Sequence, residues 1–260
     1  MPAILLSTAA VFPHTELGFQ LAAEAGYDGV ELMVNHDRRS QGIDAVKELV
    51  ASYAMPVRSV HVPCLVVTQH VWGFGPEMKL RRSVEMAEAV GADVVVVHPP
   101  FRWQRDYRER FVEVVAELQA AAGPTVAVEN MYRVMAWGRE VKPYLFNGAE
   151  RLAGFDQLTL DTSHIGADRA ELLEFYDATR GHIAHLHLSD STMTKGDEHM
   201  LPGAGVLPLS DLAAEMVNDG FDGHVVLEIA IGRLPEDQRN AGAADALAWT
   251  AEAFGVSGPG

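Results

Sequence analysis

Seven ionisable residues each close a short apolar run along the 260-residue chain: Glu31, His61, His98, Glu129, Asp161, His187 and Glu228. Successive members lie 26 to 41 residues apart, about the length of one strand-plus-helix unit of a parallel sheet. Carboxylates and imidazoles are the side chains that move protons and hold divalent cations. Solvation at a strand end explains any one of them. Seven in register would bury several unpaired charges at heavy cost unless a cation answers them. Three further candidates fall in the loops that follow: His164 in Asp161-Thr162-Ser163-His164, and Asp197 with His199 in Gly196-Asp197-Glu198-His199. Leaving Glu31 aside, nine potential ligands remain, more than one ion can use, so either several ions bind or some residues touch substrate. Nitrogen and oxygen donors without a suitably placed thiolate point to Zn²⁺ first, and to Mn²⁺ if only the carboxylate-rich subset binds.

The runs that carry these residues read as eight strands: Ile4–Ser7, Gly29–Met33, Val57–His61, Val94–His98, Val126–Glu129, Leu158–Asp161, Ile183–His187 and Val225–Ile229. Amphipathic stretches separate them, with apolar residues at helical spacing such as Leu17, Leu21, Ala22 and Ala25, or Leu80, Val84, Ala87 and Val90. Gly26, Gly91, Gly123 and Gly220 follow such stretches as expected helix caps. Strand and helix alternating eight times predict a single-domain (β/α)₈ TIM barrel over residues 1–254, with an open doubly wound sheet as the structural alternative and 255–260 as a flexible tail. In a barrel the seven strand-end residues would meet at one rim. His185, two residues before His187, points to the same side and could orient a ligand, but a histidine flanking the strand is read as structural and stays outside the candidate set.

Composition narrows the function classes. With 36 acidic against 20 basic residues, a formal net charge of −16, the chain repels polyanions, which favours a small-molecule substrate over a nucleic acid. No apolar run approaches the roughly 20 residues of a membrane span. Ala3-Ile4-Leu5-Leu6 reads as a first strand rather than a signal peptide, and the single cysteine, Cys64, suits a reducing cytoplasm. A homo-oligomer is compatible with these features. Gly203-x-Gly205 is followed by Val-Leu-Pro rather than by a dinucleotide fingerprint, and no nucleophile elbow occurs. The cluster Arg102, Arg105, Arg108 and Arg110 could meet a phosphate, but Asp106, Glu109 and Glu113 stand at pairing distance along a solvated helix face. Phe12, Trp72, Phe74, Trp103 and Trp137 are candidates to exclude water at the rim, or else to pack in loops.

The ordered motifs Gly26-Tyr27-Asp28-Gly29-Val30-Glu31-Leu32, Ser59-Val60-His61-Val62-Pro63, Val97-His98-Pro99-Pro100, Val128-Glu129-Asn130, Leu160-Asp161-Thr162-Ser163-His164, His185-Leu186-His187-Leu188-Ser189-Asp190, Leu201-Pro202-Gly203-Ala204-Gly205 and Leu227-Glu228 together resemble the xylose isomerase-like TIM barrel superfamily. That superfamily holds sugar phosphate isomerases and epimerases as well as the endonuclease IV enzymes of AP endonuclease family 2. The resemblance runs from about Ala3 to Ile231. It implies that Glu129, Asp161, His187 and Glu228 hold a single divalent ion as in the sugar branch, and that His164 contacts substrate or a second metal. It also implies that His61, His98, Asp197 and His199 could complete a trinuclear zinc site as in the endonuclease branch. Cys64, standing where that branch usually carries an aromatic residue, and the strand-two motif both favour the sugar branch.

The resulting expectation is a metal-dependent isomerase or epimerase acting on a sugar, sugar phosphate or related polyhydroxy carbonyl compound through an enediolate. Glu129 and Glu228 would serve as base and acid, and His61, His98 and His164 would contact substrate. The alternative is an endonuclease IV-like zinc-dependent phosphodiesterase, with zinc-activated water attacking phosphorus. His61 and His98, about a quarter-turn from the Glu228 side, are expected to reach an ion only if a second one sits beside the first.

Overall fold

Aliphatic and β-branched runs too short for helices and apolar on both faces pair side by side in a computed structural model of the chain, which describes residues 1–121, 123–136 and 138–256. The strands are β1 Ala3–Ser7, β2 Gly29–Met33, β3 Val57–His61, β4 Val94–Val97, β5 Thr125–Glu129, β6 Leu158–Asp161, β7 Ile183–Leu188 and β8 His224–Leu227. Each pairs in parallel with its sequence neighbours and β8 pairs with β1, closing a (β/α)₈ TIM barrel. His98 and Glu228 therefore stand one residue beyond β4 and β8 rather than within them. Trp137 and residues 257–260 of the expected tail lie outside the described residues.

Helices α1 Thr15–Ala25, α2 Ile43–Tyr53, α3 Pro76–Val90 and α4 Arg105–Ala120 follow the first four strands. Their apolar stripes, Phe19 and Leu21, Val46 and Leu49, Leu80 and Met86, and Phe111 and Val114, are buried in the main core. α1 and α3 end on Gly26 and Gly91 at positive φ, whereas α4 closes on Ala121 at φ −78° and not on Gly123. The fifth crossover departs from the expected repeat. Between β5 and β6 the chain forms an antiparallel hairpin, Val134–Ala136 with Arg139–Val141, and then a four-residue helix, Ala149–Leu152. Gly138, Pro143 and Gly148 interrupt that segment and leave no sustained helical periodicity. No helix among the described residues is long and apolar enough to cross a membrane.

The rim loops are held by buried polar contacts. Asp161 ends β6 and caps the helix Thr162–Asp168 by accepting from the His164 amide (2.9 Å). The Asn130 side chain accepts from the Asp161 amide (2.7 Å) and donates to its carbonyl (3.0 Å), tying the ends of β5 and β6 together. After β7 the chain turns back, pairing Asp190 with Met200, and so returns Asp197 and His199 over the barrel mouth. The buried Asp190 carboxylate gathers that return, accepting from the amides of Ser191 (2.8 Å), Gly203 (3.0 Å), Gly205 (2.9 Å) and Leu207 (3.1 Å). A Cβ at Gly205 would fall on Asp190 Oδ1 and on the Ser191 carbonyl, so glycine is required there by close approach.

Asp190→Ala orphans four amides at once. The variant is expected to lose about 3 kcal/mol of stability, visible in calorimetry as a Tm lower by about 5–10 °C. An unchanged Tm would mean that this carboxylate does not hold the return loop.

Candidate metal centre

His187 is the hub of the barrel mouth. Its Nδ1 lies 2.8 Å from Glu228 Oε2, 3.0 Å from Glu129 Oε1 and 3.6 Å from Asp161 Oδ2. Strand alternation turns all four side chains inward from β5, β6, β7 and the end of β8, and Asp161 and His187 are register partners on adjacent strands. Glu129, Asp161 and His187 are essentially inaccessible to solvent. One ring nitrogen cannot satisfy three carboxylates, and Glu129 Oε2, Asp161 Oδ2 and Glu228 Oε2 are buried without a hydrogen-bond partner. Orphaned anionic oxygens converging on an imidazole fit a divalent cation in donor chemistry and in number.

His61 alters the expected set. Its Nδ1–H donates to the Val62 carbonyl (3.1 Å), which aims Nε2 at Glu129 Oε2, 3.3 Å away. His61, Glu129, His187 and Glu228 each offer a ligand atom within 4.8 Å of all the others. One ion is thus within reach of His61, and the expectation that it needs a neighbouring second ion is incorrect. Strand-end order along the rim said nothing of how far an imidazole reaches across the barrel mouth. His98 Nε2 lies 2.8 Å from Glu129 Oε2, but its Nδ1 is buried and unpartnered, free to meet a ligand.

A second group sits above the first. Asp161, His164 and His199 again offer ligand atoms within 4.8 Å of one another. His164 Nδ1 donates to the Asn130 carbonyl (2.8 Å) and His199 Nδ1 to the Glu228 carbonyl (2.9 Å). Their Nε2 atoms then face Asp197 Oδ2 at 3.6 and 2.9 Å, while the Ser163 hydroxyl donates to Asp197 Oδ1 (2.7 Å). All nine sequence candidates therefore gather at one mouth.

Charge at the mouth is compensated by protons. Burial opposes a charged His61, yet contact with Glu129 and the charges of Glu31 and Glu228 outweigh it and hold the imidazole up at about 9. For His199 burial is outweighed by Asp197, which holds the imidazole up at about 10. Burial pushes the His98 imidazole down despite the neighbouring Glu129. Burial would raise Glu129, but the His98 and His187 rings outweigh it and hold the carboxyl well below its usual range.

Two residues that sequence reasoning discounted belong here. Glu31 and His185 are fully buried, and His185 Nε2 lies 3.0 Å from Glu31 Oε2. Glu31, expected at a strand end, lies instead in the middle of β2, and the signal for His185 was its two-residue spacing from His187. The aromatic residues divide. Phe12 lines a cavity of about 340 Å³ with His199, Glu228 and Arg233, and Trp103, stacked on Phe101 at 4.4 Å, lines one of about 110 Å³ with His98. Trp72 instead donates to the Gln41 carbonyl (3.1 Å) beneath Arg82 and has a packing role. Three of the four clustered arginines are engaged by protein groups: Arg102 by the Lys142 carbonyl (2.8 Å), Arg108 by Glu109 (3.8 Å) and Arg110 by Glu77 (2.8 Å).

Comparison with known proteins places this geometry. An uncharacterized protein of Mycobacterium leprae is 44% identical over 245 residues, covering 86% of this chain and 88% of the relative. Fructoselysine 3-epimerase of Shigella flexneri is 21% identical, over 82% of this chain and 84% of its own. A D-tagatose 3-epimerase-like protein superposes with a TM-score of 0.74 at 20% identity, covering 97% and 98% of the two chains. The IOLI protein, whose crystal structure carries a bound zinc atom, superposes with 0.73 at 18% identity and the same coverage. The xylose isomerase-like TIM barrel profile matches residues 19–253, and the chain belongs to that family.

Proposed function

We propose that this protein is a divalent-metal-dependent epimerase or isomerase of a small polyhydroxylated ketose, ketose phosphate or related carbonyl compound. The observation that carries the reading is the convergence of three buried carboxylates, Glu129, Asp161 and Glu228, on the single nitrogen His187 Nδ1. Likeness to sugar epimerases and to a zinc-bound barrel supports it. Glu129, Asp161, His187 and Glu228 would hold the ion, with His61 in reach, and Zn²⁺ or Mn²⁺ suits the donor set.

Epimerisation beside a carbonyl needs one group to take a proton from carbon and another to return it on the opposite face. Glu129 and Glu228 come from strands separated by two others and meet at His187, so a substrate between them is approached from two sides. A carboxylate held at low pKa is a weak base, so the C–H bond must be acidified. A divalent ion held by Glu129, Asp161, His187 and Glu228 would supply that acidification as a Lewis acid. His98 would accept a hydrogen bond from a substrate hydroxyl at its free Nδ1, and the cavities on the His98 and Glu228 sides would accept the two ends of the molecule.

The group Asp161, His164 and His199 favours a second reading, a multinuclear phosphodiesterase. Turnover in D₂O separates the two. With D-tagatose or D-allulose and metal-loaded protein, deuterium is expected at the carbon beside the carbonyl together with an epimerised product. Cleavage of an abasic-site duplex with no exchange into either sugar would replace the epimerase by the hydrolase.

His98→Gln keeps a donor and removes no residue of the four-membered ligand group. The variant is expected to retain its metal stoichiometry by elemental analysis while kcat/KM falls by tenfold or more. Loss of an ion on this substitution would assign His98 to a metal.

Metal binding should also be coupled to protons. Below about pH 9 the metal-free protein holds a proton on His61, and a metal that takes that nitrogen must displace it. Affinity is therefore expected to rise with pH up to about 9, by as much as tenfold per unit for each proton released. Calorimetry in buffers of different ionisation enthalpy counts those protons. Zero release at neutral pH would contradict this account of how the cluster is charged.

A further inference from the structure

Glu31 differs from the other carboxylates at the mouth because its lone pairs are all answered. Ser7 Oγ donates to Oε1 (3.3 Å), while Ser59 Oγ (2.9 Å) and His185 Nε2 (3.0 Å) donate to Oε2. His187 Nε2 lies 3.2 Å from both oxygens. The arrangement is built into the sheet, since Ser7, Glu31 and Ser59 are register partners across β1, β2 and β3. Glu31, His185 and His187 are also spaced closely enough to hold an ion of their own. A carboxylate that already accepts from four donors has no lone pair left for a cation, which decides against that use.

The same contacts dictate a tautomer. A buried carboxyl surrounded only by donors is kept ionised and can only accept. His187 must then present Nε2–H to Glu31, which leaves Nδ1 as the nitrogen that gives up its proton to a metal among Glu129, Asp161 and Glu228. A protonated Glu31 would donate to Nε2 instead and keep the N–H on Nδ1, at the point where those carboxylates converge.

We infer that Glu31, backed by Ser7, Ser59 and His185, is a positioning residue that fixes the tautomer and orientation of His187 so that Nδ1 can ligate the metal. The inference rests on the metal-dependent reading above. A carboxylate on the far nitrogen of a ligating histidine orients the ring and raises its basicity, and its loss typically weakens metal binding 10–100-fold.

The test is Zn²⁺ affinity by competition with a chromophoric chelator, alongside the Tm of the metal-free protein and ¹⁵N NMR of the histidine rings. Glu31→Gln is expected to raise the Zn²⁺ Kd by about 10–100-fold and to abolish the Nε2–H signature of His187. Ser59→Ala removes one donor but keeps the charge, and its Kd should stay within about threefold of the parent, whatever happens to its Tm. Should Glu31→Gln fail to fold, Glu31→Asp replaces it, because withdrawing the carboxylate by one methylene breaks the already long contact to His187. Parent-like Zn²⁺ affinity in the folded variant would overturn the inference while leaving the metal reading intact. A parent protein that takes up no Zn²⁺ would remove that reading and the inference with it.

Discussion

Mutual repulsion among carboxylates that share one small, dry space is the constraint on which the barrel mouth depends. The ligand atoms of Glu129 and Glu228 lie within 4.8 Å of each other, and two like charges at that separation repel by about 3 kcal/mol at an effective dielectric constant near 20. Asp161 adds a third charge on the same side of His187, and burial adds several kcal/mol for each ion. A fold would not accumulate such a cost for packing alone, since aliphatic residues of similar volume would fill the space more cheaply. The cluster is tolerable when something positive occupies its centre.

Two kinds of positive charge can do so, and they compete. In the metal-free protein the answer is protons, which explains why His61 and His199 are held up at about 9 and 10 although burial opposes their charge. A divalent ion offers two charges at one point and directed bonds to the oxygens that imidazolium protons cannot reach. Backbone carbonyls fix one nitrogen of His61, His164 and His199, and each ring then turns its other nitrogen toward a carboxylate.

Much of this was legible in the residues themselves. Val94 to Val97 is too short and too uniformly apolar to be anything but a buried strand, and eight short strand-like runs with helical stretches between them leave few closed architectures. The strand-end positions of Glu129, Asp161 and His187 likewise translate into one rim by geometry alone. The fifth crossover was not legible, because the absence of periodicity from 130 to 157 says only that a regular helix is missing, not that a hairpin replaces it. Nor was the place of His61 beside Glu129 and Glu228, which depends on side-chain reach across the mouth.

Glu31 shows most clearly where a linear reading stops. By residue type and burial it is indistinguishable from Glu129, although it lies in the middle of β2 while Glu129 ends β5. Their roles diverge through their neighbours. Beside Glu31 stand Ser7 and Ser59, hydroxyls that donate and saturate it. Beside Glu129, in register, stands Thr159, whose buried hydroxyl makes no hydrogen bond, and Glu129 is met instead by the imidazoles of His61, His98 and His187. On the proposed metal reading, the difference between a carboxylate that orients a ligand and one that becomes a ligand follows from whether adjacent strands set hydroxyls beside it or only imidazoles, whose protons a metal can displace. That information lies in the register of the closed barrel rather than in the spacing of acids along the chain.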